Sequence, residues 1–312
     1  MKSRFNTVLF IILVLQIGVA VSMHHVNRSD VNEQFNQPIM DIRESAVDKI
    51  TLDDGAGQST VLSRANQQWQ LDNYHQLPAD QKKVKAMLDK LEKDKSGWPV
   101  ATTESSRIRF KVANNDYRKK LVLSSDAGEQ ALYLGVSPGF RQLNVRREGE
   151  EQVYSVKLND YDFPVKDVDW MDKTLLQPKA DISAIKTVNF SLNKNQGKWS
   201  LENSEQAVDN NQLNKLTGTL SRLRVQSAEE QSKPANAYTI ELFAGDKNYQ
   251  YELFKVDDNY YISRNDFAVT FKISKTDYES LVIADANQLI DKSMDSAAPE
   301  KDTPASTLSN PS

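Results

Sequence analysis

The chain has 312 residues, of which 39% are hydrophobic and 26% are charged, a globular composition long enough for two domains. Its 39 basic and 43 acidic residues leave a net charge of −4, which argues against a nucleic-acid-binding protein. There is no cysteine, which excludes disulfides, thiolate metal sites, a cysteine nucleophile and a lipidated N-terminal cysteine.

An apolar segment at residues 8–21 follows two basic residues, Lys2 and Arg4. This order is typical of a secretory signal peptide or of a membrane anchor whose N-terminus stays in the cytoplasm. As a helix the strictly apolar part would be about 21 Å long, which is short for a ~30 Å hydrocarbon core. Residues 5–23 carry no charge, however, so a full span and a cleaved signal both remain open.

The rest of the chain divides by composition. Residues 24–45 are polar and are predicted to form a tether, whereas the last residues are rich in Ser, Ala, Pro and Asp. Between these segments the sequence repeats itself. The predicted organisation is a signal anchor or signal peptide at 1–23, a tether at 24–45, α+β repeats at 46–177 and 178–290, and a disordered tail at 291–312.

Each copy of the repeat begins with two predicted strands. Residues 47–52 and residues 185–190 alternate apolar and polar side chains, as half-buried strands do. A second strand follows around a tryptophan, Trp69 in the first copy and Trp199 in the second, 130 residues apart. The shared order and spacing indicate a duplicated unit.

A helix follows in both copies. Asp80 and Asp209 are suited to accept hydrogen bonds from the free N–H groups of a first helical turn. Apolar residues then recur on one face, and Gly97 is predicted to end the first helix. The predicted buried positions are Val84, Met87, Leu88 and Leu91 in the first helix and Leu213, Leu216, Leu220 and Leu223 in the second.

Further strands are predicted to complete each copy. Residues 108–112 match residues 238–242 at the same offset of 130, whereas residues 143–147 match residues 260–264 at an offset of 117. The difference assigns 13 more residues to the first copy, and a hairpin that turns near Asn114 would hold them.

The order of these elements predicts the fold class. A capping box at Ser274 and Asp277 predicts a short helix that closes the second copy. No helix is predicted between successive strands, so a parallel α/β fold is not favoured. The prediction is an α+β fold: two tandem copies of a unit with an antiparallel sheet packed by one main helix, after an N-terminal apolar helix.

The junction between the copies reads DWMDKTLL over residues 169–176. Together with the N-terminal apolar segment, the strand at Trp69 and the Gly-Trp-Pro-Val sequence at 97–100, it resembles the bacterial family DUF4340 over most of residues 40–285. The resemblance implies an envelope protein with a single N-terminal span in the inner membrane and most of its chain in the periplasm. Cleavage would instead leave it soluble there. Such proteins are often encoded beside ABC transporter components of the gliding-motility type.

The sequence assigns no catalytic, cofactor-binding or metal-binding residues. The three histidines, His24, His25 and His75, have no second ligand at metal-type spacing, and no Gly-x-Ser-x-Gly nucleophile motif accompanies them. Glycine-rich phosphate loops are absent from the sequence. Carboxylate pairs such as Asp53 and Asp54 are predicted to lie in turns.

Two aromatic features admit both a packing and a binding interpretation. Tyr249, Tyr251, Tyr260 and Tyr261 lie on adjacent predicted strands, which favours cross-strand packing over an exposed platform for a glycan or a protein. Trp170 at the junction likewise favours a packed hinge over a binding site.

The expected function is that of a non-enzymatic cell-envelope accessory or partner-binding protein, as an auxiliary subunit of an ABC-type transport complex. The expected partners are the membrane, through the N-terminal segment, and an ABC transporter permease or other envelope proteins, but no nucleic acid. The alternatives are a periplasmic ligand- or glycan-binding module and an uncharacterised hydrolase. A carboxylate-lined cleft would favour the hydrolase, whereas a shallow, partly apolar strip would favour partner binding.

Overall fold

The computed structural model describes residues 13–19 and 37–291. The chain divides into two compact units, unit 1 and unit 2, between Asp172 and Lys173. This division lies a few residues before the boundary predicted at residue 177. Each unit contains one antiparallel sheet and few helices, so the predicted α+β class is confirmed.

Residues 13–19 are helical, with exposed apolar side chains. Within the part of the chain that the structure describes, no helix has both the length and the apolar character needed to cross a membrane. The rest of the predicted anchor at 1–23, most of the tether at 24–45 and nearly all of the tail at 291–312 lie outside the described residues.

Unit 1 is built on a nine-stranded sheet. Its strands are β1 (Val47–Asp53), β2 (Ser59–Ala65), β3 (Gln68–Leu71), β4 (Leu77–Pro78), β5 (Pro99–Ala101), β6 (Lys119–Ser125), β7 (Gly128–Leu134), β8 (Leu143–Arg147) and β9 (Val153–Val156). They pair in the order β4-β3-β2-β1-β6-β7-β8-β9-β5. Alternation along the strands buries Ile50 and Leu52 on β1 and Leu121 and Leu123 on β6.

One main helix, α1 (Gln81–Lys93), contributes its apolar face to the core of unit 1. Asp80 caps it as predicted, because its carboxylate accepts from the backbone N–H groups of Lys82 and Lys83. The helix ends at Lys93, so the predicted end at Gly97 is wrong. The chain turns extended at Asp94, whose carbonyl accepts a hydrogen bond from Ile39 N. The four buried residues are those predicted, Val84, Met87, Leu88 and Leu91.

Two short helices complete unit 1, α2 (Glu104–Arg109) and α3 (Asp167–Trp170). The side chain of Trp170 is fully buried, and its Nε1 donates to the carbonyl of Pro164 at 2.8 Å. Packing of this tryptophan is therefore confirmed. Single turns of 3₁₀ helix occur at Glu44–Ala46 and Asp160–Asp162.

Unit 2 is built on an eight-stranded sheet. Its strands are β10 (Ile182–Thr187), β11 (Ser191–Asn195), β12 (Lys198–Leu201), β13 (Ser227–Glu229), β14 (Tyr238–Ala244), β15 (Lys247–Val256), β16 (Asn259–Arg264) and β17 (Thr270–Ile273). They pair in the order β12-β11-β10-β14-β15-β16-β17-β13.

The helices of unit 2 are α4 (Asn210–Arg222), α5 (Lys275–Leu281) and a 3₁₀ turn at Ala286–Leu289. Asp209 caps α4 as predicted, accepting from the second and third residues after it. Ser274 Oγ accepts from Asp277 N at 3.0 Å, which confirms the predicted cap of the closing helix. The predicted stripe is buried at all four positions, Leu213, Leu216, Leu220 and Leu223.

The two sheets share one strand order. Apart from β4, the series β3-β2-β1-β6-β7-β8-β9-β5 in unit 1 corresponds strand by strand to the series β12-β11-β10-β14-β15-β16-β17-β13 in unit 2. The register also shifts at the same place, between Val47 and Lys49 on β1 and between Ile182 and Ala184 on β10.

Each unit also has a short non-helical arm that bonds to the segment after its main helix. In unit 1 the carbonyl of Gln37 accepts from Ser96 N at 3.0 Å, and in unit 2 the carbonyl of Lys173 accepts from Val225 N at 2.9 Å. Residues 37–40 and 173–176 thus hold equivalent positions in their own units.

The predicted strand at 108–112 is wrong. Its first residues belong to α2, which begins at a Thr103 cap, and Lys111 has a φ of +57°, which interrupts an extended backbone. The neighbour of β1 is instead β6. The extra residues of unit 1 lie in α2 and in a tight turn from Ala113 to Asp116. An antiparallel bridge between Val112 and Tyr117 closes this turn, so the chain does reverse near Asn114 as predicted.

Candidate functional site

Asp53, Asp54 and His75, which the sequence offered as candidates for chemistry, lie within the described part of the chain. Among residues 13–19 and 37–291, no three His, Asp or Glu side chains are arranged to hold a metal ion. His75 lies beside Tyr74, with ring centroids 5.6 Å apart. Asp53 and Asp54 accept backbone hydrogen bonds in the turn after β1 and so stabilise it, as predicted. His24 and His25 lie outside the described residues.

Three members of the tyrosine cluster are buried in unit 2. Tyr249 and Tyr251 lie against the guanidinium of Arg264, whose Cζ is 4.7 and 5.8 Å from their ring centroids. The hydroxyl of Tyr251 donates to the carbonyl of Leu176, and burial raises the pKa of Tyr251 to about 12. Tyr261 is also buried. The packing interpretation is confirmed, and these three rings form no exposed platform.

Unit 1, by contrast, exposes a group of large apolar side chains. Trp98 is 65% exposed, Val100 52%, Ile108 47% and Phe140 87%. We call these four residues the Trp98 surface. Single exposed apolar residues are ordinary, but several on neighbouring segments mark a site of interaction.

Two of the four residues lie at the edge of the sheet. Val100 is the central residue of β5, the terminal strand next to β9, and Trp98 immediately precedes that strand. Strand β5 has only three residues, and one of them, Pro99, has no N–H to donate. It is therefore a poor template for the addition of another strand. Any interaction at this edge therefore depends on side chains more than on backbone pairing.

The other two residues are carried by α2 and by the loop between β7 and β8. Phe110, which ends α2, accepts from Val136 N at 2.9 Å through its carbonyl. A Cβ on Gly135 would lie 2.0 Å from that carbonyl oxygen, so only glycine allows the two backbones to approach this closely. Ala101 and Phe110 also pack on one buried cluster, which consists of Val112, Tyr133 and Val153. β5, α2 and the loop therefore converge.

A buried arginine fixes the turn after α2 to the sheet. Arg146 on β8 is 3% exposed and donates to the carbonyl of Val112 at 2.6 Å and to Asn114 Oδ1 at 2.5 Å. Its guanidinium lies 4.4 Å from the ring centroid of Tyr133, and burial lowers the pKa of Arg146 from its usual value. The support under the Trp98 surface is thus held by hydrogen bonds as well as by apolar packing.

Two arginines stack on aromatic rings of the segments that carry the Trp98 surface. Arg109 stacks on Phe110 and Arg141 stacks on Phe140, with guanidinium-to-centroid distances of 4.7 and 4.9 Å. Both arginines are exposed, so positive charge lies next to the exposed ring of Phe140 and the half-buried ring of Phe110. Segments 95–111 and 135–142 together contain five basic residues, Lys95, Arg107, Arg109, Lys111 and Arg141, and one acidic residue, Glu104. Lys111 pairs with Asp116, which leaves the other four as the basic excess.

The corresponding edge of unit 2 is polar and acidic. Its terminal strand is β13, with the sequence Ser-Ala-Glu. Asp257 and Asp258 form the turn between β15 and β16, where unit 1 has its longer loop. Segments 224–237 and 257–258 contain two basic and four acidic residues. Since the same strand order forms without an apolar edge, folding alone does not require Trp98 and Val100.

Sequence reasoning misses the Trp98 surface. Tryptophan and isoleucine are usually buried, and Ile108 alternates with Phe110 and Val112 in a way that predicted a strand with a buried face. Pro99 was the one residue that pointed to an exposed edge. Within sheets proline is confined to edge strands, so Trp98 and Val100 beside it are expected at an edge as well.

The Trp98 surface and both main helices lie inside the segment that matches a known family. The family model described as Domain of unknown function (DUF4340) matches residues 69–241, more than half of the chain. Comparison with curated proteins and with solved structures gives no match. The chain therefore belongs to the DUF4340 family, as its junction, its tryptophan-centred strand and its Gly-Trp-Pro-Val sequence indicated.

Proposed function

We propose that this chain is a non-enzymatic accessory protein of the cell envelope that docks onto a partner through the Trp98 surface. The supporting observation is that unit 1 exposes apolar side chains at a sheet edge where unit 2 is polar. An exposed apolar group surrounded by charges fits an interaction site better than a catalytic centre, which needs a concave pocket with converging polar groups. An ABC-type transport complex is the protein partner that the family resemblance suggests.

We also propose that the two units are tandem copies of one α+β unit, which follow an N-terminal apolar helix. The shared strand order, the equivalent register shift, the equivalent arms and the single capped main helix in each unit support duplication. Divergence after duplication accounts for the contrast between the edges, since one copy can acquire an interaction surface while the other keeps a polar edge.

The proposed location is the inner membrane, with one N-terminal span and the bulk of the chain in the periplasm. Alkaline phosphatase fused after Asp285 is expected to be active, because Lys2 and Arg4 keep the N-terminus in the cytoplasm. Green fluorescent protein fused at the same position is expected to stay dark. An inactive phosphatase with a bright fluorescent fusion would contradict this topology, and the mass of the mature protein separates the anchored form from the cleaved one.

Photo-crosslinking in intact cells tests the docking surface. A benzophenone amino acid in place of Val100 is expected to form an adduct with an envelope component, because this side chain is exposed at the proposed contact. The matched control is Val188, which is 84% exposed in unit 2 and should give no adduct. Equal adducts at both positions, or none at Val100, would remove the Trp98 surface from the proposal.

A second candidate function, the binding of a small polar ligand such as a glycan, is favoured by one groove in unit 2. It has a volume of about 480 Å³ and is lined by polar side chains that include Gln250, Glu252 and Ser263. Lys233 pairs with Glu252 there, so the groove offers hydrogen bonds without a strong net charge. Its open, shallow form ranks this function second to docking.

A further inference from the structure

We propose that the Trp98 surface binds the anionic surface of a lipid bilayer, an inference that rests on the proposed docking function and names its partner. Under this proposal unit 1 lies on the membrane with Trp98, Val100, Ile108 and Phe140 in the interfacial region. Arg109 and Arg141 lie among the lipid headgroups. The N-terminal segment would tether unit 1 to the membrane, and the Trp98 surface would set its orientation there.

The N-terminal arm meets unit 1 close to Trp98 in the sequence. Gln37 is the first residue of the arm that the structure describes, and its carbonyl accepts from the backbone N and the Oγ of Ser96 at 3.0 and 3.3 Å. Ser96 precedes Trp98 by two residues, and Pro38 forms a bridge with Lys95. The apolar segment at 8–21 therefore connects to unit 1 beside the Trp98 surface.

The length of the connecting segment strengthens this argument. From residue 23 to Gln37 a fully extended chain spans no more than about 50 Å. If the apolar segment lies in the bilayer, the edge that carries Trp98 is held within that distance of the headgroups. A weak affinity for lipid then suffices, because tethering converts docking into an intramolecular step.

The exposed side chains of the Trp98 surface also have the chemistry of a membrane-binding site. Tryptophan is enriched at membrane–water interfaces, where an apolar ring with one polar group is best accommodated. Phe140 is 87% exposed in the loop between β7 and β8, with Arg141 stacked on it. Apolar side chains next to arginines match the requirements of an anionic bilayer surface, which attracts basic groups and accepts apolar ones.

The Trp98 surface is assembled from three different elements. Trp98 and Val100 lie at a sheet edge, Ile108 on a short helix and Phe140 in a loop, so no single element presents all four exposed residues. A folded protein partner would have to fit side chains from three elements at once, whereas mobile lipid headgroups rearrange around them. Of the two classes of partner, the bilayer therefore fits the geometry better.

The absence of cysteine makes a direct test possible in the full-length chain. The variants Val100→Cys, Phe140→Cys, Tyr161→Cys and Val188→Cys each take one fluorophore and are reconstituted into vesicles of phosphatidylcholine and phosphatidylglycerol that contain nitroxide-labelled lipid. Tyr161 and Val188 are matched controls, since they are 85% and 84% exposed, and Tyr161 is flanked by Asp160 and Asp162. Because all four positions are exposed, labelling should leave the fold intact.

Lipid quenching of the labels at Val100 and Phe140 is expected to exceed severalfold the quenching at Tyr161 and Val188. Arg109→Gln and Arg141→Gln should shift the equilibrium away from the docked state by about fivefold for each charge removed. Similar quenching at all four positions would overturn the proposal. A second result would also overturn it: a photo-adduct between Val100 and a transporter subunit, together with quenching of the Val100 label no greater than that of the Val188 label. That result would still support the proposed accessory function.

Discussion

Leu220→Ala is expected to lower the stability of unit 2 by about 2–5 kcal/mol, since truncation of a buried leucine loses its transfer free energy and leaves a cavity. Leu220 is 0% exposed, with Leu213 and Leu216 buried on the same face of α4. A domain has only about 5–15 kcal/mol of stability, so the loss is a large fraction of the total. The measurement is the unfolding midpoint of the full-length protein in denaturant, followed by circular dichroism.

The control for this prediction is Lys215→Ala on the exposed face of the same helix. An exposed substitution of this kind changes stability by no more than about 0.5 kcal/mol. If both variants lost the same stability, the helix would be fragile as a whole, and the assignment of its buried face would be wrong.

Gly135→Ala is expected to destabilise unit 1 by about 3 kcal/mol, at the upper end of ordinary overpacking. The added Cβ would lie 2.0 Å from the carbonyl oxygen of Phe110 and 2.7 Å from Cγ1 of Val112. Backbone at the end of α2 cannot move aside as a flexible side chain would, since Arg146 holds the carbonyl of Val112. Thermal unfolding of the full-length protein measures the loss.

Gly139→Ala provides the matched control in the same loop. Its nearest neighbour would be the Oε1 of Gln142 at 3.9 Å, an ordinary contact, and neither glycine has a positive φ. A stable Gly135→Ala protein would show that α2 and the β7–β8 loop are not as close as described. Equal losses for the two variants would point to a general sensitivity of the loop.

Both main helices could be predicted from the sequence because their determinants are local. An aspartate cap and leucines at helical spacing act within a few turns, so Asp80, Asp209 and the stripe through Leu216 appear in the structure as expected. The strands at Trp69 and Trp199 and the matched pairs of β8 with β16 and β9 with β17 also follow from alternation, which is equally local.

The strand at 108–112 could not be predicted correctly for a physical reason. Ile108, Phe110 and Val112 alternate as strand residues do, but a six-residue helix such as α2 is too short to show a helical period. Its conformation depends on tertiary contacts, above all the approach of Gly135 to the carbonyl of Phe110. Such contacts leave no trace in local sequence periodicity.

The candidate site was hidden for a related reason. A sequence gives the apolar character of Trp98 and Phe140 but not their exposure, and apolar residues are normally predicted to be buried. Exposure here results from the position of β5 at the end of the sheet and from the loop that carries Phe140. The exposed position of β5 and that of the loop become visible only in the folded structure. The same holds for the polar edge of unit 2, with which the edge of unit 1 is compared.

The covalent junction has a consequence for how the protein can be divided. Adjacent residues bond into different units, since Asp172 N donates to the carbonyl of Pro78 and the carbonyl of Lys173 accepts from Val225 N. A protease needs several consecutive residues whose backbone groups make no such bonds. Between the N–H of Asp172 and the carbonyl of Lys173 there is no stretch of this kind. A cut at the sequence-predicted boundary of 177 would remove the arm whose last carbonyl, on Leu176, receives the hydroxyl of Tyr251. Unit 2 therefore starts at Lys173, so the junction is shared: the buried Trp170 belongs to unit 1, whereas the buried Leu176 belongs to unit 2.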